Sequence, residues 1–401
     1  MKRREFLAGL SVGAALDAAG LKAADGEAGV KSTSNRPPGK VIVGTALQAF
    51  WGPYPGLQNR LEQLAGIVDQ MAAQARKKYG RGLDLAVLPE TAVTGEAGEE
   101  ALTRSVPFAG PVQQLFSGKA REHHCYVVVP TYLLDSPEKK LCSNAAILVG
   151  RQGELVGIYR KVHLVVSLER GTMEGGATPG DALPVFDCDF GKLGIQICYD
   201  MDFADGWVEL ARRGAELVAW PTQSPQTSQP AFRARQHRCY IVSSTWRHNA
   251  SIFEPTGKIA VQITPPQSIL VEELDLSYAL VPWSSKLRNG AALKQAYGDK
   301  VGFHYYEDED LGIFWSNDPG ITVGEMVRSI GVLELEEELA QVRKFYRKVV
   351  PHFTSPATIG GRLPRSASLA RNDIPRLVVS WRGASATKQS RSDSLKTCEM
   401  R

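Results

Sequence analysis

The chain runs to 401 residues, 43% hydrophobic and 22% charged, which is ample for a large core and fits one big α/β domain or two smaller ones. Its formal charge of +4 comes from basic termini; the body between them is mildly acidic and has no basic stripe, which excludes nucleic acid as a partner. No apolar run approaches the ~20 residues needed to cross a bilayer, which excludes stable membrane insertion.

Met1-Lys2-Arg3-Arg4-Glu5-Phe6-Leu7 opens the chain and places a twin arginine before a short, weak apolar stretch that Asp17 interrupts. This is the pattern of a twin-arginine export signal, with Ala18, Ala19, Ala23 and Ala24 as small residues for cleavage. Residues 1–36 are therefore expected to be signal and linker, and the protein periplasmic or extracytoplasmic; without a working signal it would be cytoplasmic. Beyond a Ser/Asn/Pro/Gly linker, the patterning predicts a strand over 41–50, a helix over 57–78 and a strand over 83–88. A helix over 111–123 and a β-rich run over 125–131 follow. Two hairpins are predicted next, 145–149 with 154–159 and 183–189 with 193–198. A helix over 207–213, a strand over 217–220 and a helix over 231–238 lead into strands at 240–245, 251–253, 259–263 and 268–274. Strands alternating with helices, with hairpins between, indicate an α/β sandwich of mixed sheets. Residues 40–284 form the expected main domain and 285–354 an extension with an acid-led, base-ended helix over 333–349. The basic Ser/Arg/Gly/Pro-rich stretch 355–401 is expected to be disordered.

Six cysteines occur, at 125, 142, 188, 198, 239 and 398, with no Cys-x-x-Cys pair and no His/Cys spacing for zinc, so no metal site is expected. Cys125, Cys142 and Cys239 sit in or beside apolar runs and read as small buried hydrophobes. Cys198 differs. It closes the strand pattern Gly191-Lys192-Leu193-Gly194-Ile195-Gln196-Ile197, beside a helix start. Two other strand ends carry a lone carboxylate, in Leu88-Pro89-Glu90, and a lone lysine, in Tyr159-Arg160-Lys161-Val162-His163-Leu164. Alone, each has an ordinary reading as a packed thiol, a helix cap or a surface cation. Brought together, they form a covalent-catalysis set.

The three segments resemble the motif set of the nitrilase, or carbon–nitrogen hydrolase, superfamily. Supporting matches run from about residue 40 to 280: Pro179-Gly180-Asp181, Gly214 to Pro221, and Phe253-Glu254-Pro255-Thr256-Gly257. The resemblance implies a four-layer αββα sandwich of two mixed β-sheets flanked by helices, a homodimer or higher homo-oligomer, and no cofactor. It assigns Cys198 as nucleophile, Glu90 as general base and Lys161 as oxyanion donor, with the backbone N–H of Tyr199 as the second donor. A second glutamate beyond the lysine is also implied. Glu169 is the expected residue, with Glu174 as rival.

A free cysteine, with a pKa of ~8.5, is mostly protonated at neutral pH, so a neighbouring base must take its proton before it attacks an amide or nitrile carbon. Cys198-Tyr199-Asp200 resembles the amidase and carbamoylase branches, and Cys198 to Phe203 resembles ω-amidase-type members except that Asp202 stands where they carry arginine. The expectation is hydrolysis of a small-molecule amide or N-carbamoyl substrate through a thioester. Asp202 favours a neutral or amine-bearing one, and Trp220 is a candidate to line the pocket. His163 is expected to be a structural hydrogen-bonder. The alternatives are nitrile hydrolysis by the same residues and a non-catalytic dimeric binding protein on the same fold. The N-acyltransferase branch is disfavoured, because it needs a transmembrane bundle.

Overall fold

The computed structural model describes residues 33–96, 100–169 and 171–349. The export-signal segment and the tail from 355, with Cys398, lie outside the described residues. In chain order the elements are β1 (Lys40–Ala46), α1 (Leu57–Tyr79), β2 (Leu85–Val87), α2 (Ala101–Arg104), α3 (Pro111–His123), β3 (Tyr126–Ser136), β4 (Leu141–Val149) and β5 (Leu155–Arg160). The short pair β6 (Val166–Ser167) and β7 (Thr172–Met173) is followed by β8 (Val185–Cys188), β9 (Gly191–Ile195), α4 (Ala204–Arg212), β10 (Leu217–Pro221), α5 (Ser228–His237), β11 (Tyr240–Ser244), β12 (Ala250–Phe253), β13 (Ile259–Ile263) and β14 (Ile269–Asp275). Last come β15 (Tyr278–Pro282), α6 (Ala291–Tyr297), β16 (Val301–Tyr306), β17 (Leu311–Ser316), α7 (Val323–Ser329) and α8 (Leu335–Val349).

Two six-stranded sheets carry the fold, ordered β14-β1-β2-β3-β4-β5 and β13-β12-β11-β10-β9-β8. Each is mixed: β1, β2 and β3 run parallel, as do β9, β10 and β11, while the flanking pairs are antiparallel. Successive strand residues point to opposite faces, and the sequence uses both. Val41, Val43, Leu85, Val87, Leu193, Ile195, Leu217, Ala219, Tyr240 and Val242 meet in the layer between the sheets. The alternate residues Ile42, Ala86, Val127 and Val129 pack with Leu64, Val68 and Met71 of α1 and Phe116 of α3. On the second sheet Val218, Trp220 and Ile241 pack with Trp207 and Leu210 of α4 and Ala234 of α5. The result is the four-layer αββα sandwich.

Both predicted hairpins form, as β4–β5 and β8–β9. The helices predicted at 207–213 and 231–238 begin three residues earlier, at Ala204 and Ser228, because their first turns carry no apolar periodicity. β15, from inside the expected main domain, pairs with β17, and β17 with β16, in a three-stranded sheet whose core includes Leu287, Leu293, Phe314 and Met326.

Candidate active site

Glu90, Lys161 and Cys198 each follow the C-terminal end of a strand, β2, β5 and β9 respectively, so one end of the sandwich collects residues from both sheets. Glu90 is buried, and both oxygens of its carboxylate accept hydrogen bonds. Oε1 accepts from Asn144 Nδ2 at 2.9 Å and Lys161 Nζ at 3.0 Å, while Oε2 accepts from the backbone N–H of Gln223 at 3.1 Å. Its carbonyl accepts from Trp246 Nε1 at 2.8 Å, and the next residue, Thr91, has φ +50°. Lys161 is wholly buried. Its backbone N–H donates to the Asn144 carbonyl at 2.8 Å, so Asn144 holds the lysine main chain with one group and the carboxylates with another.

The second carboxylate at the lysine is Glu174. Its Oε1 lies 2.6 Å from Lys161 Nζ and 3.3 Å from Asn144 Nδ2. The expectation of Glu169 is corrected: that residue is exposed in the turn between β6 and β7, whereas the chain returning through β7 brings Glu174 inward, its N–H donating to the Val165 carbonyl at 2.9 Å. Among the described residues, Glu174 Oε2 and Asn144 Oδ1 are buried without hydrogen-bond partners.

Cys198 opens a 3₁₀ turn, Cys198–Asp202, with φ +43°, a backbone region that costs a non-glycine residue about 1–3 kcal/mol and persists only where its surroundings enforce it. Two anchors do so here. Trp220 Nε1 donates to the Cys198 carbonyl at 3.1 Å, and Asp200 Oδ2 accepts from the Ile197 N–H at 2.9 Å. Trp220 is fully buried on the helix-facing side of its sheet, and its indole holds the main chain of Cys198. Tyr199 is partly exposed, its ring edge-to-face with Phe203 at 5.2 Å. Asp202 is exposed, and the buried guanidinium of Arg233 on α5 lies in its field.

Burial pushes the Cys198 thiol up to about 12, with the Glu90 charge adding to it and Lys161 opposing. Burial alone would lower Lys161, but the carboxylates of Glu90 and Glu174 hold its ammonium well above the ordinary lysine value. Glu174 is raised by burial and then by the Glu90 charge, against the pull of Lys161.

Two other features are separate from this centre. A cavity of about 370 Å³ lies at the opposite end of the sandwich, lined by residues including Lys40, Glu254, Asp275, His304 and Trp315, and its carboxylates are engaged with protein partners. Among the described residues Asp69, Glu122 and His123 converge as a metal set would, but Lys119 Nζ sits 2.8 Å from Asp69 and 2.9 Å from Glu122, already supplying the cation.

The fold and the Glu–Lys–Cys cluster define a class, and the comparison with known proteins agrees: the chain belongs to the carbon–nitrogen hydrolase family, whose model matches residues 48–280. It is 28% identical over 194 residues to the omega-amidase NIT2-A of Xenopus laevis, covering 42% of this chain and 68% of that protein. It is 28% identical over 234 residues to the deaminated glutathione amidase of Homo sapiens, covering 52% and 71%. Among solved structures, Saccharomyces cerevisiae Nit3 of the nitrilase superfamily superposes with a TM-score of 0.50 at 21% identity, over 59% of this chain and 90% of that one.

Proposed function

We propose that the protein hydrolyses the C–N bond of a small-molecule amide or N-carbamoyl compound through a Cys198 thioester. The observation that carries this reading is the Lys161 ammonium, wholly buried between Glu90 at 3.0 Å and Glu174 at 2.6 Å, a cost that a merely structural site would avoid by using apolar residues. As the thiol attacks, its proton passes to Glu90 and negative charge moves to the carbonyl oxygen, where Lys161 and the Tyr199 N–H receive it. The site's net charge does not change in that step. Glu90 then protonates the departing nitrogen, and water activated by Glu90 cleaves the thioester to release the acid and the free cysteine. Glu174 orients the lysine.

The acceptors Glu174 Oε2 and Asn144 Oδ1, unpartnered among the described residues, favour an amide or carbamoyl substrate over a nitrile, because only the former bring N–H donors to satisfy them. The amidase names of the two relatives above support the same choice. A homodimer through the outer helices and export by the twin-arginine route belong to the same reading; exposed Val208 on α4 and Phe232 on α5 support the first, and the Arg3-Arg4 segment the second. Light scattering and a signal-dependent export reporter test them. The deciding experiment is a hydrolysis screen of amides, N-carbamoyl amino acids and nitriles with Cys198→Ala as control. Turnover of the first two classes, absent in the control, is expected; activity surviving in Cys198→Ala refutes the mechanism.

A further inference from the structure

Lys161 and Cys198 come from different sheets, and one carboxylate joins their supports. Asp200, fully buried, takes four hydrogen-bond contacts. Its Oδ2 accepts from the Ile197 N–H at 2.9 Å and the Tyr159 hydroxyl at 2.7 Å, and its Oδ1 accepts from the His163 backbone N–H at 2.9 Å. His163 Nδ1 lies 3.0 Å from the same Oδ1, and its Nε2 lies 3.2 Å from Asp205 Oδ2 at the start of α4. The ring also stacks on Phe203, with centroids 4.0 Å apart and planes 4° from parallel. A neutral imidazole has one N–H and reaches one carboxylate; only the imidazolium donates to both. The charged and titratable groups around it are Asp200 and Asp205, the Tyr159 hydroxyl from β5, and Arg233 of α5, which the Asp202 and Asp205 charges reach.

We propose that His163 is held as an imidazolium bridging Asp200 and Asp205, and that this bridge is a positioning device setting the Lys161 ammonium against the Cys198 thiol. The inference rests on the assignment of those two residues above. The hydrogen bond to Asp200, then the Asp200 and Asp205 charges, raise the ring above its ordinary value of 6.5, against the effect of burial. The bridge is accordingly complete at low pH and opens as pH rises through the raised value. It predicts an alkaline limb in kcat above the ordinary histidine range.

The test is kcat and KM against pH for wild type, Asp205→Asn and His163→Asn, with ¹⁵N titration of the histidine ring signals. In Asp205→Asn, where an exposed carboxylate is neutralised, the kinetic limb and the ring midpoint should move together to lower pH. His163→Asn keeps one donor toward Asp200; it should lose the limb and about tenfold in kcat with KM changed by less than about threefold, as expected when one charged hydrogen bond to a positioning group is lost. A limb that stays at the wild-type pH in both variants, or a His163 signal that titrates at or below the ordinary value, overturns the proposal. Failure of the wild type to hydrolyse any amide refutes the functional reading instead, and the ring midpoints of wild type and Asp205→Asn then decide the bridge alone.

Discussion

Replacing Glu174 by glutamine separates the two candidate glutamates and tests the arrangement around the lysine. The change keeps the side chain's size and removes one charge from a carboxylate that lies 2.6 Å from Lys161 Nζ and 3.3 Å from Asn144 Nδ2. A hydrogen bond to a charged group contributes about 1.5–3 kcal/mol, and each ~1.4 kcal/mol off transition-state stabilisation is tenfold in rate. Lys161 keeps Glu90 at 3.0 Å, so the ammonium stays charged and the loss is one of orientation. The expected fall in kcat/KM is about 10- to 150-fold on these magnitudes. Glu169→Gln, altering an exposed turn residue, should stay within about twofold, in line with a surface change. Ammonia release from a primary amide reads the rates, and a thermal melt checks that each variant is folded. Equal losses in the two variants, or a Glu174→Gln enzyme with wild-type kinetics, would refute the assignment.

Lys161→Met should abolish turnover and destabilise the fold by about 3–5 kcal/mol, because two buried carboxylates lose their shared cation; urea titration measures this, and adding Glu174→Gln should recover part of it. Trp220→Phe removes the donor to the Cys198 carbonyl while keeping most of the packing, and should cost about fivefold in kcat/KM, the equivalent of one neutral hydrogen bond. Asp202→Arg is expected to shift preference toward carboxylate-bearing amides, and an unchanged substrate profile removes Asp202 from recognition. Burial and the Arg233 charge push His237 down to about 4, so the folded state resists protonation there and stability declines as pH falls from the ordinary histidine value toward 4. In His237→Leu the loss of stability between pH 7 and pH 5, followed by denaturant midpoint, should be smaller than in the wild type.

The placement of Glu90, Lys161 and Cys198 at one end of the sandwich was legible because each closes an apolar strand pattern, and parallel strands deliver such residues to one end of a sheet. The choice between Glu169 and Glu174 was not, since the short β6–β7 pair and the Glu174 N–H to Val165 carbonyl contact leave no periodic trace in sequence. Trp220 had a usable signal. It shares strand parity with Val218, and that parity faces the helices. Asn144 was missed, although it is a buried polar side chain in the apolar run Ala145 to Val149 and its approach, a place where an amide needs a specific partner. The aromatic strands β16 and β17 went unread for want of a matched motif, despite the β-rich residues of Phe303, Tyr305, Phe314 and Trp315.

A thiol pushed up to about 12 has a consequence for survival as well as for rate. Peroxides and disulfides attack the thiolate, and oxidation follows thiolate character and exposure. On the proposed mechanism, burial disfavours the Cys198 thiolate until a carbonyl arrives whose developing charge Lys161 can take. That reading predicts slow oxidative inactivation of the resting protein by peroxide, and faster inactivation while an amide is being turned over.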